Sequence, residues 1–205
     1  MIDISRPLGS HTPVWPGDAP FRLCWTLRQE AGAAANVGEI SMTTHCGTHV
    51  DAPLHVTADG APVGALAPEV FVGPARVVEV RGVREIGCAH IEAALGGGRV
   101  PERLLFHTGC WTDARVLPAV FPAIAPAAAE YLRAEGLRLV GTDAPSVDPP
   151  DSEDLPAHRA FAGAGIPILE NLFLDAAAAG DYHLVALPLR LDGADASPVR
   201  AVLIR

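Results

Sequence analysis

Apolar residues in this chain fall in short runs, not long stripes. Seven runs read as strands: 21–27, 75–80, 104–107, 137–141, 166–169, 183–187 and 199–204. They are rich in Val, Ile and Leu and are bounded by Gly, Pro or Asp, the composition and punctuation of buried strands. Two segments between them read as helices. One is Cys88 to Leu95. The other is Ala125 to Glu135, where Pro126 suits a first helical turn and Gly136 supplies a stop. A short third helix is expected over His158 to Ala164. Strands alternating with helices predict an α/β layered domain. The last two runs lack an intervening helical crossover and read as a hairpin. Pro13, Pro16 and Gly17 mark an early loop; Pro145, Pro149, Pro150 and Pro156 mark a long one before His158.

The polar positions carry the chemistry. His45, His49, Asp51 and His55 fall within one stretch of eleven residues, His45-Cys46-Gly47-Thr48-His49-Val50-Asp51-Ala52-Pro53-Leu54-His55. Neutral imidazole and carboxylate are ligands for zinc and its neighbours. All four sit at odd positions, so a straight strand would put them on one face. It would also hold His45 and His55 roughly 33 Å apart, whereas an ion needs its ligands at about 2 Å. The segment must therefore bend. Gly47 permits unusual backbone angles and Pro53 fixes one; a helical turn would also bring His45 and His49 together. Further along come Asp143, Asp148, Asp151, Glu153, Asp154, His158 and Glu170. Most of these acids are expected to be solvated. Glu170 differs in ending the apolar run Ile166-Pro167-Ile168-Leu169, where a carboxylate needs a partner.

Composition narrows the function. At 205 residues, 49% apolar and 19% charged, the chain suits one globular domain spanning 1–205. A net charge of -9 argues against nucleic acid as partner. No apolar run reaches the roughly 20 residues of a membrane span, and the first residues lack a signal core. Cys24, Cys46, Cys88 and Cys110 form no CxxC pair, which suggests a reduced, cytoplasmic protein. There is no GxSxG elbow to supply a serine nucleophile.

The pattern HxGTHxDxPxH resembles the signature of the bacterial kynurenine formamidase family, within the cyclase-like metal hydrolases. So do Val14-Trp15-Pro16-Gly17-Asp18, the central loop Thr142-Asp143-Ala144-Pro145-Ser146-Val147-Asp148-Pro149, and the C-terminal Leu187-Pro188-Leu189 and Ala196-Ser197-Pro198-Val199-Arg200-Ala201. The resemblance implies a swivelling β/β/α fold, a homodimer and two divalent ions, zinc first among them. His45, His49 and Asp51 would hold one ion; Asp51, His158 and Glu170 the other; His55 would be general acid or base. Trp15 would offer an apolar wall to an aryl substrate, though a tryptophan pinning Pro16 explains it equally well. The implied reaction is hydrolysis of N-formyl-L-kynurenine to L-kynurenine and formate. The alternatives are another cyclase-like amidase, such as an isatin hydrolase, or a noncatalytic metal-binding module.

Overall fold

The computed structural model describes residues 1–205. Thirteen strands occur in chain order: β1 (Ile2–Asp3), β2 (Arg22–Leu27), β3 (Val37–Ser41), β4 (His49–Asp51), β5 (Val72–Glu79), β6 (Glu85–Ile86), β7 (Arg103–His107), β8 (Ala123–Ile124), β9 (Leu139–Thr142), β10 (Ile168–Glu170), β11 (Gly180–Val185), β12 (Ala196–Pro198) and β13 (Val202–Ile204). Three helices join them: α1 (Cys88–Leu95), α2 (Pro126–Ala134) and α3 (Pro156–Gly163).

Nine strands form one mixed sheet in the order β1-β13-β11-β5-β7-β9-β10-β4-β12. The centre, β5-β7-β9-β10, is parallel, and α1, α2 and α3 lie in its three crossovers. The flanking pairs are antiparallel. The strand period of two explains why the central strands are mostly apolar on both faces. Val77, Leu105, Leu139 and Leu169 enter one core, while their neighbours Val78, Leu104, Val140 and Ile168 enter a second. The second core is completed by Ile91 and Leu95 of α1, Leu132 of α2 and Phe161 of α3. The first draws Val50 from one end of the sheet and Leu184 and Leu203 from the other, so the sheet curls around it. Ile4 closes the curl: its N–H donates to the Ala201 carbonyl and its carbonyl accepts from the Phe173 N–H.

The expected α/β fold is present. Each of the seven predicted runs overlaps a strand, and both stronger helices lie within their expected ranges. The C-terminal hairpin needs correction. β11 and β13 do pair antiparallel, but the chain between them leaves to place β12 beside β4. Outside the main sheet, β2 and β3 form a separate two-stranded ribbon, and β6 pairs with β8.

Candidate metal centre and its cleft

The eleven-residue stretch resolves into three local structures. His45 lies in a turn; β4 carries His49 and Asp51; a 3-10 turn, Pro53–His55, carries His55. Gly47, at φ 69, makes the first bend, and Pro53 starts the last. The helical option for His45 and His49 is not used. On β4, His49 and Asp51 share a face, while Val50 between them turns into the core. β10 brings Glu170 directly opposite His49 in the antiparallel register. α3 presents His158 from its first turn.

These side chains converge. His45 Nδ1 lies 2.9 Å from Asp51 Oδ1, and His49 Nε2 lies 3.3 Å from the same oxygen. His158 Nε2 stands 3.5 Å from Asp51 Oδ2 and 3.3 Å from Glu170 Oε1. Ligand atoms of His45, His49 and Asp51 fall within 4.8 Å of one another, as do those of Asp51, His158 and Glu170. Asp51 belongs to both groups. Short as these contacts are, His49 Nε2 and both oxygens of Asp51 are buried and lack a partner with hydrogen-bond geometry. Orphaned buried groups of this kind are costly. A cation among them would remove the cost.

The outward nitrogens give the same reading. His49 Nδ1 donates to the Gly47 carbonyl at 2.9 Å, and His158 Nδ1 to Asp148 Oδ2 at 2.7 Å. His45 Nε2 meets Asp195 Oδ2 at 2.9 Å. A ring that donates outward keeps its inward lone pair for a metal. Asp148 also accepts the N–H groups of Ala157 and His158, so one carboxylate caps α3 and orients its histidine. Glu170 is steadied by the Val147 N–H at 2.8 Å.

Charge balances on the same pattern. Burial disfavours a charged His45, but Asp195 and Asp51 outweigh burial and raise its pKa to about 10. Burial likewise opposes charge on His158 and His49; Glu170 with Asp148 raises the first, and Asp51 raises the second. Burial would raise Asp51, yet the surrounding imidazoles, His49 foremost, hold it well below the usual carboxylate range. His55 moves the other way. Burial, helped by neighbouring His45 and His158, lowers its pKa, so it is a neutral base at pH 7.

The cluster floors a cleft of about 300 Å³ whose walls include Val14, Trp15, Leu117, Pro145 and Leu155. Trp15 is 38% exposed and meets Phe121 edge-on at 6.4 Å, so it both lines the cleft and packs against the fold. All six polar residues singled out in the sequence meet in this one place. Three neighbouring acids lie outside the predicted set. Asp148 and Asp143 belong to a run of acids most of which are expected to be solvated, and both are buried. Asp195 drew no notice, yet Oδ2 lies 3.4 Å from His55 Nδ1 as well as on His45. Its one sequence signal is its place beside Ala196-Ser197-Pro198. Only the pairing of β12 with β4, Ala196 opposite Asp51, carries it to the site. His90 is structural, its Nδ1 accepting the Gly87 N–H at the start of α1.

A mixed, curled sheet with imidazoles and carboxylates gathered at one strand defines a class. The model of the family described as "Putative cyclase" matches residues 2–149, and the chain belongs to that family. Within it, the chain falls in the kynurenine formamidase branch. It is 46% identical over 202 residues to the kynurenine formamidase of Geobacillus thermodenitrificans, covering 98% of this chain and 96% of that one. The Bacillus cereus kynurenine formamidase is 45% identical over the same shares. Among solved structures, a "potential metal-dependent hydrolase with cyclase activity" superposes with a TM-score of 0.80 at 30% identity, covering 98% of this chain and 95% of that chain. Isatin hydrolase A from Labrenzia aggregata gives 0.84 at 28%, covering 99% and 93%.

Proposed function

We propose that this chain hydrolyses N-formyl-L-kynurenine to L-kynurenine and formate. The observation that carries the reading is the shared Asp51, buried and unpartnered between two triads of inward-facing ligands. Two divalent cations fit those triads. Zinc is the first choice, since imidazole and carboxylate ligands suit it, as they do manganese and cobalt. Cations so held lower the pKa of water towards neutrality and polarise a carbonyl oxygen. Of the ligands, His45, His49 and Asp51 would form one set, and Asp51, His158 and Glu170 the other.

His55 does the proton work. It is neutral at pH 7, lies beside the cluster with its ring centroid 4.3 Å from that of His45, and is steadied by Asp195. It takes a proton from the attacking water as the new C–O bond forms. It returns that proton to the aryl nitrogen as the C–N bond breaks, so the amine leaves neutral. Trp15 walls the aryl ring. The chain acts as one unit over 1–205 and pairs as a homodimer. Its four free cysteines suit the reducing cytoplasm. No helix is long and apolar enough to cross a membrane.

Isatin opening is the second reading, favoured by the likeness to isatin hydrolase A. The greater identity to the formamidases ranks it below the first. Kinetics on N-formylkynurenine and isatin, each before and after chelation and metal restoration, test both readings. The first expects chelation to abolish formamide hydrolysis and metal to restore it, with isatin the poorer substrate. Undiminished turnover in the chelated protein would end the metal-dependent reading.

A further inference from the structure

A second, larger cavity of about 490 Å³ adjoins the cleft, and Pro13 and Asn171 line both. Its ionisable lining is basic: Arg6, His11 and Arg115, with no carboxylate. That is unusual in a chain of net charge -9. Trp111 and Phe173 add aromatic walls. Arg6 is the unusual member. It is only 9% exposed and its guanidinium lies 3.6 Å over the Trp111 ring. One nitrogen, Nη2, donates to the Leu172 carbonyl, while Nε has no partner. No carboxylate stands within ion-pair distance of it. Asp143, the acid with the largest pull on it, is already occupied by Thr108 and Gly109. Burial draws the pKa of Arg6 down to about 10, which leaves it charged at neutral pH. Asp143 and Asp175 offset part of the cost of burying this cation without an ion-pair contact, and an anionic ligand in the cavity would offset more. The shared wall adds a complementary group. Asn171 sits at φ 58, directly after Glu170, and its Oδ1 is buried without a donor.

We propose that this cavity is a carboxylate-recognition site that takes the amino-acid end of the substrate, the carboxylate on Arg6 and the ammonium on Asn171. The inference rests on the formamidase reading, because it assigns the part of that substrate remote from the reacting bond. It makes Arg6 a specificity determinant that touches no reacting atom.

The experiment compares kcat/KM for N-formylkynurenine with that for formanilide, which carries the same aryl formamide without the amino-acid end. In Arg6→Gln, the ratio of the two should fall on the order of tenfold to a hundredfold, as expected for loss of a charge-assisted contact. Arg6→Lys should recover part of it. A ratio unchanged from the unmodified protein, or equal losses on both substrates, would overturn the site. The unmodified protein gives a second measurement that no folding defect can obscure. Kynurenine should inhibit formanilide hydrolysis at least about tenfold more strongly than its α-carboxamide, which keeps the ammonium and loses only the carboxylate charge. Equal inhibition would overturn the proposal. Turnover of neither formamide would overturn the formamidase reading and this one together; turnover with an unaffected ratio would remove this one alone.

Discussion

Asp51 concentrates the chemistry of the molecule in one side chain: both oxygens buried, both unpartnered, and three imidazoles around it. The residues around Asp51 divide into those that bind and those that act. His55 is assigned to act, so His55→Ala should keep its metal while kcat falls by about 10²–10⁴, the usual worth of a positioned acid–base group. Metal analysis beside steady-state kinetics reads both, and full turnover would remove His55 from its role. Asp148 is assigned to support. Asp148→Asn takes the acceptor from His158 Nδ1 and weakens the cap of α3. Metal affinity should drop roughly ten- to a hundredfold, with about 1 kcal/mol lost from the metal-free fold. Competitive chelator titration and thermal melting measure the two. Protons also compete with metal here. The imidazole pKa values of the metal-free cluster are raised, that of His45 to about 10, so these groups hold protons at pH 7 that an ion must displace. Affinity should therefore rise with pH between 6 and 8 and fall on acidification. Isothermal titration in two buffers of different ionisation enthalpy would show the proton release, and a pH-independent affinity would contradict it. Much of this was legible because four residues sit in one dense motif, while His158 and Glu170 stood out by local context, Glu170 by ending an apolar run. Asp195 was not, because a solitary acid in a Gly-Ala-Asp loop carries no period or spacing. Asp148 was hidden by the general rule that acids are solvated, which fails wherever a helix start and an imidazole need the same carboxylate.

At the scale of elements, the site depends on a three-residue strand followed at once by a 3-10 turn. The turn is held from outside by the Leu54 N–H donating to the Ala61 carbonyl and by Gly60, whose N–H donates to the Thr57 carbonyl. A Cβ on Gly60 would overlap the backbone of Pro53 and Leu54, which cannot yield as a flexible side chain could. Gly60→Ala should thus push the turn that aims His55 while leaving β4 in its sheet. The expected result is kcat lowered on the order of a hundredfold, since a displacement of about 1 Å has that effect, with the first-turn ligand His158 and its metal retained. Loss of metal together with rate would show that the turn and β4 move as one. The same contrast explains what the sequence disclosed of the fold. β7, β9 and β10 are buried throughout and β5 mostly so, and their apolar runs mark them plainly. β4, β12 and β1 are two or three residues long and gain their hydrogen bonds only from distant partners, so no local pattern announces them. β3 was masked by Gly38 and Glu39, residues depleted in strands; Leu23 and Trp25 pack over Gly38.

At the scale of the whole molecule, one surface is left without a partner. The β2–β3 ribbon belongs to no larger sheet, and every residue in both strands is exposed. Its register puts Leu23 opposite Ile40 and Trp25 opposite Gly38 on one face; a register shift follows, beyond which Leu27 pairs with Val37. These large apolar groups are 44–59% exposed, with Trp25 at 45% and Ile40 at 59%. An isolated two-stranded ribbon is marginal in water unless its apolar face is covered. In the proposed homodimer the second copy covers it, and a two-fold pairing would present the same patch from both sides. The chain should therefore sediment at twice 21.4 kDa. Ile40→Lys would place a charge at the centre of the apolar face, where burial without a partner costs several kcal/mol. Its dimer should dissociate at micromolar concentration where the unmodified chain stays paired. Cys24→Lys, on the opposite face and paired with Glu39, sets the control and should leave pairing intact. Sedimentation across a concentration series distinguishes the outcomes. If Ile40→Lys remains a dimer, the copies pair elsewhere and the ribbon is covered by something other than a second copy; if the unmodified chain is a monomer throughout, the homodimer itself is excluded.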